Sequence, residues 1–105
     1  MNTTWTRAAA LAEVPSPGTK TVDLGGHKIL VCRAGDTVYA VEDRCTHDDG
    51  VLGEGELDGF AVMCPRHGAK FDIRTGEVLR MPAAVPVRTF PAKVEGPDIL
   101  VDLGA

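Results

Sequence analysis

Four side chains in the middle of the chain restrict its fold more than any apolar run does. Cys45 and His47 form one pair and Cys64 and His67 a second, with residues 48–63 between them. Each pair offers one thiolate and one imidazole, so together they supply two sulfur and two nitrogen ligands for a metal centre. The set works only if segments 45–47 and 64–67 meet, and any fold for this chain has to bring them together. The sequence contains 3 cysteines and 3 histidines, and two of each fall in this pattern. Gly50 and Gly53 accompany the first segment, Pro65 and Gly68 the second. Both segments read as loops, with Pro65 fixing φ and Gly68 letting backbone N–H groups approach a metal centre closely.

Around these loops the chain reads as short β-runs cut by glycine-bearing turns. The runs are 19–24, 27–33, 37–41, 55–57, 60–63, 71–73, 77–79, 85–94 and 99–103, with turns at Gly25-Gly26, Gly35-Asp36, Asp58-Gly59, Thr75-Gly76 and Gly96-Pro97. Two strands joined by a Gly-Gly pair are a hairpin signal, and the repeated spacing predicts an all-β sandwich or barrel-like domain. Only 6–13 has helix-forming composition, and Pro15 and Pro17 limit it to a turn or loop. Pro82, Pro86 and Pro91 belong to edges, bulges or a loop, because proline cannot donate to a sheet ladder. Trp5 is expected to close one end of the β core. The first ligand loop (44–53) follows run 37–41 and the second (64–70) follows run 60–63, with a hairpin-rich insert between them. Both ligand pairs then stand on neighbouring loop tips, close to the surface.

With 105 residues and 44% hydrophobic content, the chain reads as one small domain. A net charge of −4, from 11 basic and 15 acidic residues, argues against a nucleic-acid partner. No apolar run approaches a membrane span, and the alanine-rich stretch after Arg7 stops at Glu13, a poor secretory signal. The odd cysteine count leaves Cys32 outside the pattern and fits a reducing cytoplasm better than a disulfide framework. Cys32 lies in an apolar run and reads as a buried thiol. His27 follows Gly25-Gly26 and reads as a solvated or strand-face residue. Leu52 either packs over the metal centre or belongs to the ordinary core. Asp48, Asp49, Glu54, Glu56 and Asp58 make the first loop and insert acidic, with Arg44 and Arg66 flanking the ligands. That charge reads either as a solvated face or as a docking surface for a weakly held, charge-steered partner.

Two metal centres suit the donor set: a tetrahedral zinc ion, and a [2Fe–2S] cluster with two Cys on one iron and two His on the other. Zinc fingers usually pair Cys with Cys and His with His, and the one-residue gap between Cys45 and His47 is unusual for them. Cys45-Thr46-His47 and Cys64-Pro65-Arg66-His67-Gly68, followed by Phe71-Asp72 and Thr75-Gly76, resemble the two boxes of Rieske proteins. The likeness runs from about Trp5 to Leu103. It implies a Rieske fold, an antiparallel β sandwich or barrel-like base with a small cluster-binding subdomain at about 44–74. It also implies that Cys45 and Cys64 bind one iron, and His47 and His67 the other, exposed one.

Departures from the respiratory branch of that family place the chain elsewhere in it. Respiratory Rieske proteins carry an extra cysteine in each box, whereas here Asp48-Asp49-Gly50 follow His47 and Arg66 separates Cys64 from His67. They also carry a serine and a tyrosine after the second box, where this chain has Ala69 and Phe71. Hydrogen bonds to sulfur stabilise the reduced state, so their absence implies a low potential, near roughly −150 mV. The most similar branch is the soluble Rieske-type ferredoxin of multicomponent non-haem-iron, ring-hydroxylating oxygenases. Such a protein takes one electron from a flavin-dependent reductase, passes it to a terminal oxygenase and does no bond chemistry itself. Taken with the charge, hydropathy and cysteine count above, the chain is expected to be a cytoplasmic monomer, its exposed tip open to two transient redox partners in turn, with no nucleic-acid or membrane partner. The rival readings are the small Rieske-like subunit of an assimilatory nitrite reductase and a structural zinc module. An oxygenase catalytic subunit would need a second iron site, for which only His27 is left.

Overall fold

Two-residue turns lay out the sheets. The computed structural model describes residues 5–45, 51–65, 68–81 and 85–104. Strands β2 (Gly18–Leu24) and β3 (His27–Ala34) meet at Leu24↔His27 around Gly25-Gly26, whose φ values of 56° and 83° lie where glycine alone is unstrained. β3 turns through Gly35-Asp36 into β4 (Thr37–Glu42), and the short β9 (Thr89–Phe90) completes a sheet of order β2-β3-β4-β9. A second sheet joins β1 (Trp5–Ala10), β11 (Asp98–Asp102) and β10 (Ala92–Glu95) in the order β1-β11-β10. The third contains β5 (Leu57–Asp58), β6 (Ala61–Met63), β7 (Lys70–Asp72) and β8 (Val78–Arg80) in sequence order. Every pairing is antiparallel. Short 3₁₀ turns at Leu11–Glu13 and Leu52–Glu54 are the only helical pieces among the described residues, so the all-β expectation holds.

β3 and β4 form a wall between two cores. Side chains of a strand alternate between faces, and in β3 four successive residues, Ile29 to Cys32, are all buried. Ile29 and Val31 pack with Ala9, Val38, Ala40, Phe90, Ile99 and Val101 on the side of β1 and β11. Leu30 and Cys32 face the other way, into a core with Val41, Cys45, Leu52, Val62, Cys64 and Phe71. An apolar run buried on both faces carries no alternation, as the sequence of β3 shows.

The structure redraws several boundaries. Residues 5–10, expected as part of a turn or loop, form β1 and pair with β11 from Trp5↔Asp102 to Ala10↔Asp98, with an irregularity between Arg7 and Ala9. Burial of Ala9 against that sheet overrides the helical preference of alanine. The run 85–94 divides at Pro91, which cannot extend a ladder, so β9 stays with β4 while β10 crosses to β11. Phe60 lies in the β5–β6 turn rather than in a strand. Trp5 is half-buried under Lys93, whose Nζ lies 4.4 Å from the ring centroid, and it belongs to neither core. Pro82 lies outside the described residues. The two-core arrangement makes Ile99→Ala expensive: chemical denaturation should show a loss of about 2–5 kcal/mol, and a loss below about 1 kcal/mol contradicts the packing.

Candidate metal centre

Each cysteine of the pattern sits at the end of a strand where a loop begins. Cys45 leaves β4 two residues after Asp43 and is fully buried; Cys64 leaves β6 and is also buried. Both lie in the core built on Leu30, Leu52, Val62 and Phe71, so the fold brings the two sulfur-bearing residues into one apolar environment. Leu52 is completely buried there, which settles its place as core against the cysteines. His47 and His67, with Arg66, Asp48, Asp49 and Gly50, lie outside the described residues. Among the described residues no group of three or more His, Cys, Asp and Glu side chains comes together as a metal site.

Backbone bonds shape the second loop. β6 and β7 pair through Met63↔Lys70, and the Cys64 N–H donates to the Ala69 carbonyl at 2.7 Å, extending the hairpin by one step. The Gly68 N–H then donates to the Cys64 carbonyl at 3.1 Å, and Gly68 adopts φ 76°. Cys64 and Gly68 thus close the β6–β7 hairpin at this end, and the left-handed backbone at position 68 needs the glycine. Ala69 and Phe71 are fully buried and bring no hydroxyl into this core.

Two carboxylates that sequence reasoning overlooked hold the loops from behind. Asp43 is buried; its Oδ2 accepts from the Thr21 hydroxyl at 2.8 Å and its Oδ1 from the Gly53 N–H at 2.7 Å. Gly53 is confined by this contact, because an added Cβ would collide with Thr21 Oγ1 and come within 3.3 Å of Asp43 Oδ2. Beyond the second loop, Asp72 accepts from the Arg74 backbone N–H, Nε and NH2 at 2.8, 3.0 and 2.9 Å. The Arg74 guanidinium lies 4.1 Å from the centre of the Phe60 ring, which meets Tyr39 of β4 edge-to-face at 6.1 Å. These links tie the third sheet to the wall. An aspartate two residues before Cys45 and another directly after Phe71 are visible in the sequence, but nothing in it names their partners.

The remaining candidates fall outside the centre. Burial, reinforced by the Asp43 charge, pushes the Cys32 thiol up to about 12, and its sulfur lies 3.8 Å from the Leu30 carbonyl. A thiol held protonated is a core residue rather than a ligand. His27 is half-buried, edge-to-face with Phe90 at 6.0 Å, as a strand-face residue should be. The donor chemistry therefore fits a mixed-ligand centre: two cysteines in one dry core, each followed by a histidine within its own loop. An all-cysteine cluster needs four thiolates, and the sequence holds 3 cysteines.

Comparison with known proteins agrees with this geometry. A family model described as the Rieske [2Fe-2S] domain matches residues 4–91. The biphenyl 2,3-dioxygenase ferredoxin component of Rhodococcus jostii (strain RHA1) is 49% identical over 79 residues, 75% of this chain and 74% of that protein. The ferredoxin of carbazole 1,9a-dioxygenase from Nocardioides aromaticivorans IC177 superposes with a TM-score of 0.91 at 34% identity, covering 94% of this chain and 97% of the other. A chain from a complex of reduced oxygenase and oxidized ferredoxin in carbazole 1,9a-dioxygenase gives 0.88 at 34% identity, covering 96% and 94%.

The Asp72–Arg74 link makes a pH-dependent prediction. Hydrogen bonds from the Arg74 side chain hold the Asp72 carboxyl below its ordinary range. The pair therefore stabilises the fold above the unfolded carboxyl value of about 3.9, and this contribution is lost as pH falls through the lower folded value. Arg74→Met should lower the urea unfolding midpoint at neutral pH, and its difference from wild type should shrink in acid. An offset of constant size across that pH range contradicts the link.

Proposed function

The chain belongs to the Rieske [2Fe-2S] domain family, and we propose that it is the ferredoxin of a multicomponent ring-hydroxylating oxygenase. Its role there is to receive single electrons from a flavin-dependent reductase and deliver them to the terminal oxygenase. The observation that carries this reading is the placement of Cys45 and Cys64 in one apolar core, each at the mouth of a loop that holds a histidine. When bound, the [2Fe–2S] cluster supplies a one-electron redox couple whose potential its ligands and surroundings set.

Cys45 and Cys64 would hold one iron from within the core, and His47 and His67 would hold the other. Residues of about 44–74 make the cluster-binding subdomain of a single domain. Leu52 and Phe71 exclude water from the thiolate side. His47 and His67 would be the exit points for the electron, on the iron away from the buried cysteines. The chain performs no bond chemistry. It works in the cytoplasm as a monomer, since both partners need the same tip in turn. The relative whose structure was solved with its oxygenase supports that acceptor. On the third sheet, Leu79 and Met81 are exposed apolar side chains, and the register Lys70↔Arg80 sets them beside the second loop. Glu56 and Asp58 are exposed around β5 and supply acidic charge for steering.

Ala69 and Phe71 support a low potential, since neither can donate a hydrogen bond from its side chain to sulfur. A redox titration should return a value near about −150 mV, and one above about +100 mV contradicts the assignment. The purified protein should be brown-red and contain iron and sulfide. Replacing Cys45, His47, Cys64 or His67 by alanine should remove that absorption or change it, while Cys32→Ala and His27→Gln keep it. A colourless protein holding zinc overturns the reading. Reduced protein mixed with the oxygenase should reoxidise more slowly as salt rises; a flat salt response removes the acidic group from docking.

A further inference from the structure

The ends of the first ligand loop are joined by one side chain. Asp43 stands just before Cys45, and its Oδ1 accepts from the backbone N–H of Gly53, on the far side of the loop, at 2.7 Å. Its Oδ2 accepts from Thr21 of β2 at 2.8 Å, and its own N–H donates to Lys28 of β3 at 2.9 Å. The carboxylate therefore joins the two ends of segment 44–52 and anchors that closure to β2, while the Asp43 backbone holds β3. Fixing both ends of a loop removes much of the freedom its interior would otherwise keep. A carboxylate only 4% exposed is costly to bury without donors, so each of these bonds is costly to lose. Gly53 is matched to it: any side chain there would collide with Thr21 Oγ1 and displace the backbone from the carboxylate.

From this geometry we propose that Asp43 is the positioning residue of the first ligand loop, joining its two ends beside Cys45 and holding a negative charge beside the cysteine-bearing core. The role rests on the ligand assignment made above. The reach of the charge shows at Cys32, whose thiol Asp43 helps push upward and which shares a core with Cys45 and Cys64. A fixed negative charge there disfavours the added electron and lowers the potential. Asp102 provides a matched control. It is also a buried carboxylate that accepts from a glycine N–H, Gly104 at 2.9 Å, but it belongs to β11, on the opposite side of the wall.

The test uses the full-length, cluster-loaded protein and two readouts: the rate at which a chelator bleaches the visible absorption, and the midpoint potential. Asp43→Ala should bleach about tenfold faster than Asp102→Ala, as expected from losing hydrogen bonds to a charged acceptor. Asp43→Asn should bleach at close to the wild-type rate, because its amide oxygen can accept from Gly53 while its NH₂ donates to the Thr21 hydroxyl. With its charge gone, its midpoint should rise. Thr21→Val, which leaves the charge in place, should bleach faster than wild type and decides the matter if Asp43→Ala does not fold. Equal bleaching of Asp43→Ala and Asp102→Ala, or of Thr21→Val and wild type, overturns the proposal. So does an unchanged midpoint in Asp43→Asn. If His47→Ala keeps the wild-type spectrum, the ligand assignment itself fails; if it loses that spectrum while the Asp43 variants match wild type, only the positioning role falls.

Discussion

The double-sided burial of β3 and β4 is the constraint on which the rest of the molecule depends. One face of this wall completes an ordinary β sandwich with β1, β10 and β11, and the other faces the core that contains Cys45 and Cys64. A small domain has little apolar area to spend, and sharing one pair of strands between two cores lets a modest chain seal both. Cys45 emerges directly from the wall, so the first ligand loop starts from the most rigidly held strands. Cys64 starts from the third sheet, whose hydrogen-bonded ladders, among the described residues, are internal. It is fixed to the wall by packing and by the Arg74–Phe60–Tyr39 stack. One half of the centre is built on the foundation and the other is pressed against it.

Carboxylates carry out the remaining positioning. Asp43 and Asp72 flank the two loops, and each spends its lone pairs on backbone N–H groups of turn residues and on one neighbouring side chain. Such outer partners commonly orient ligands and tune what they hold. Ala69 and Phe71, by contrast, bring no hydroxyl group into the core around Cys64. In the proposed centre, charge behind the first loop and apolar packing around Cys64 would both act toward low potential.

Much of this was legible in the chain because it is local. Gly25-Gly26 dictates a hairpin whatever surrounds it, and the Cys–His spacings announce a shared ligand set before any sheet is drawn. The features that escaped are those decided by distant partners. Residues 5–10 look helical because alanine is a good helix former, and only the presence of β11 makes them a strand. The run 85–94 alternates well enough for one strand, but Pro91 divides it between two sheets. Asp43 has no role legible in the sequence until Thr21 and Gly53 are seen against it. The family likeness of the two boxes carried the functional reading from ligand set to electron carrier, a step that the donor chemistry left open between iron and zinc.

Pulsed electron paramagnetic resonance on the reduced protein, grown with isotopically labelled histidine nitrogen, tests the ligand set most directly. Two strongly coupled imidazole nitrogens should appear and should persist unchanged in His27→Gln, since that side chain lies against Phe90 rather than in a ligand loop. A spectrum with no histidine coupling, or one in which a coupling disappears with His27, would contradict a centre held by Cys45, His47, Cys64 and His67.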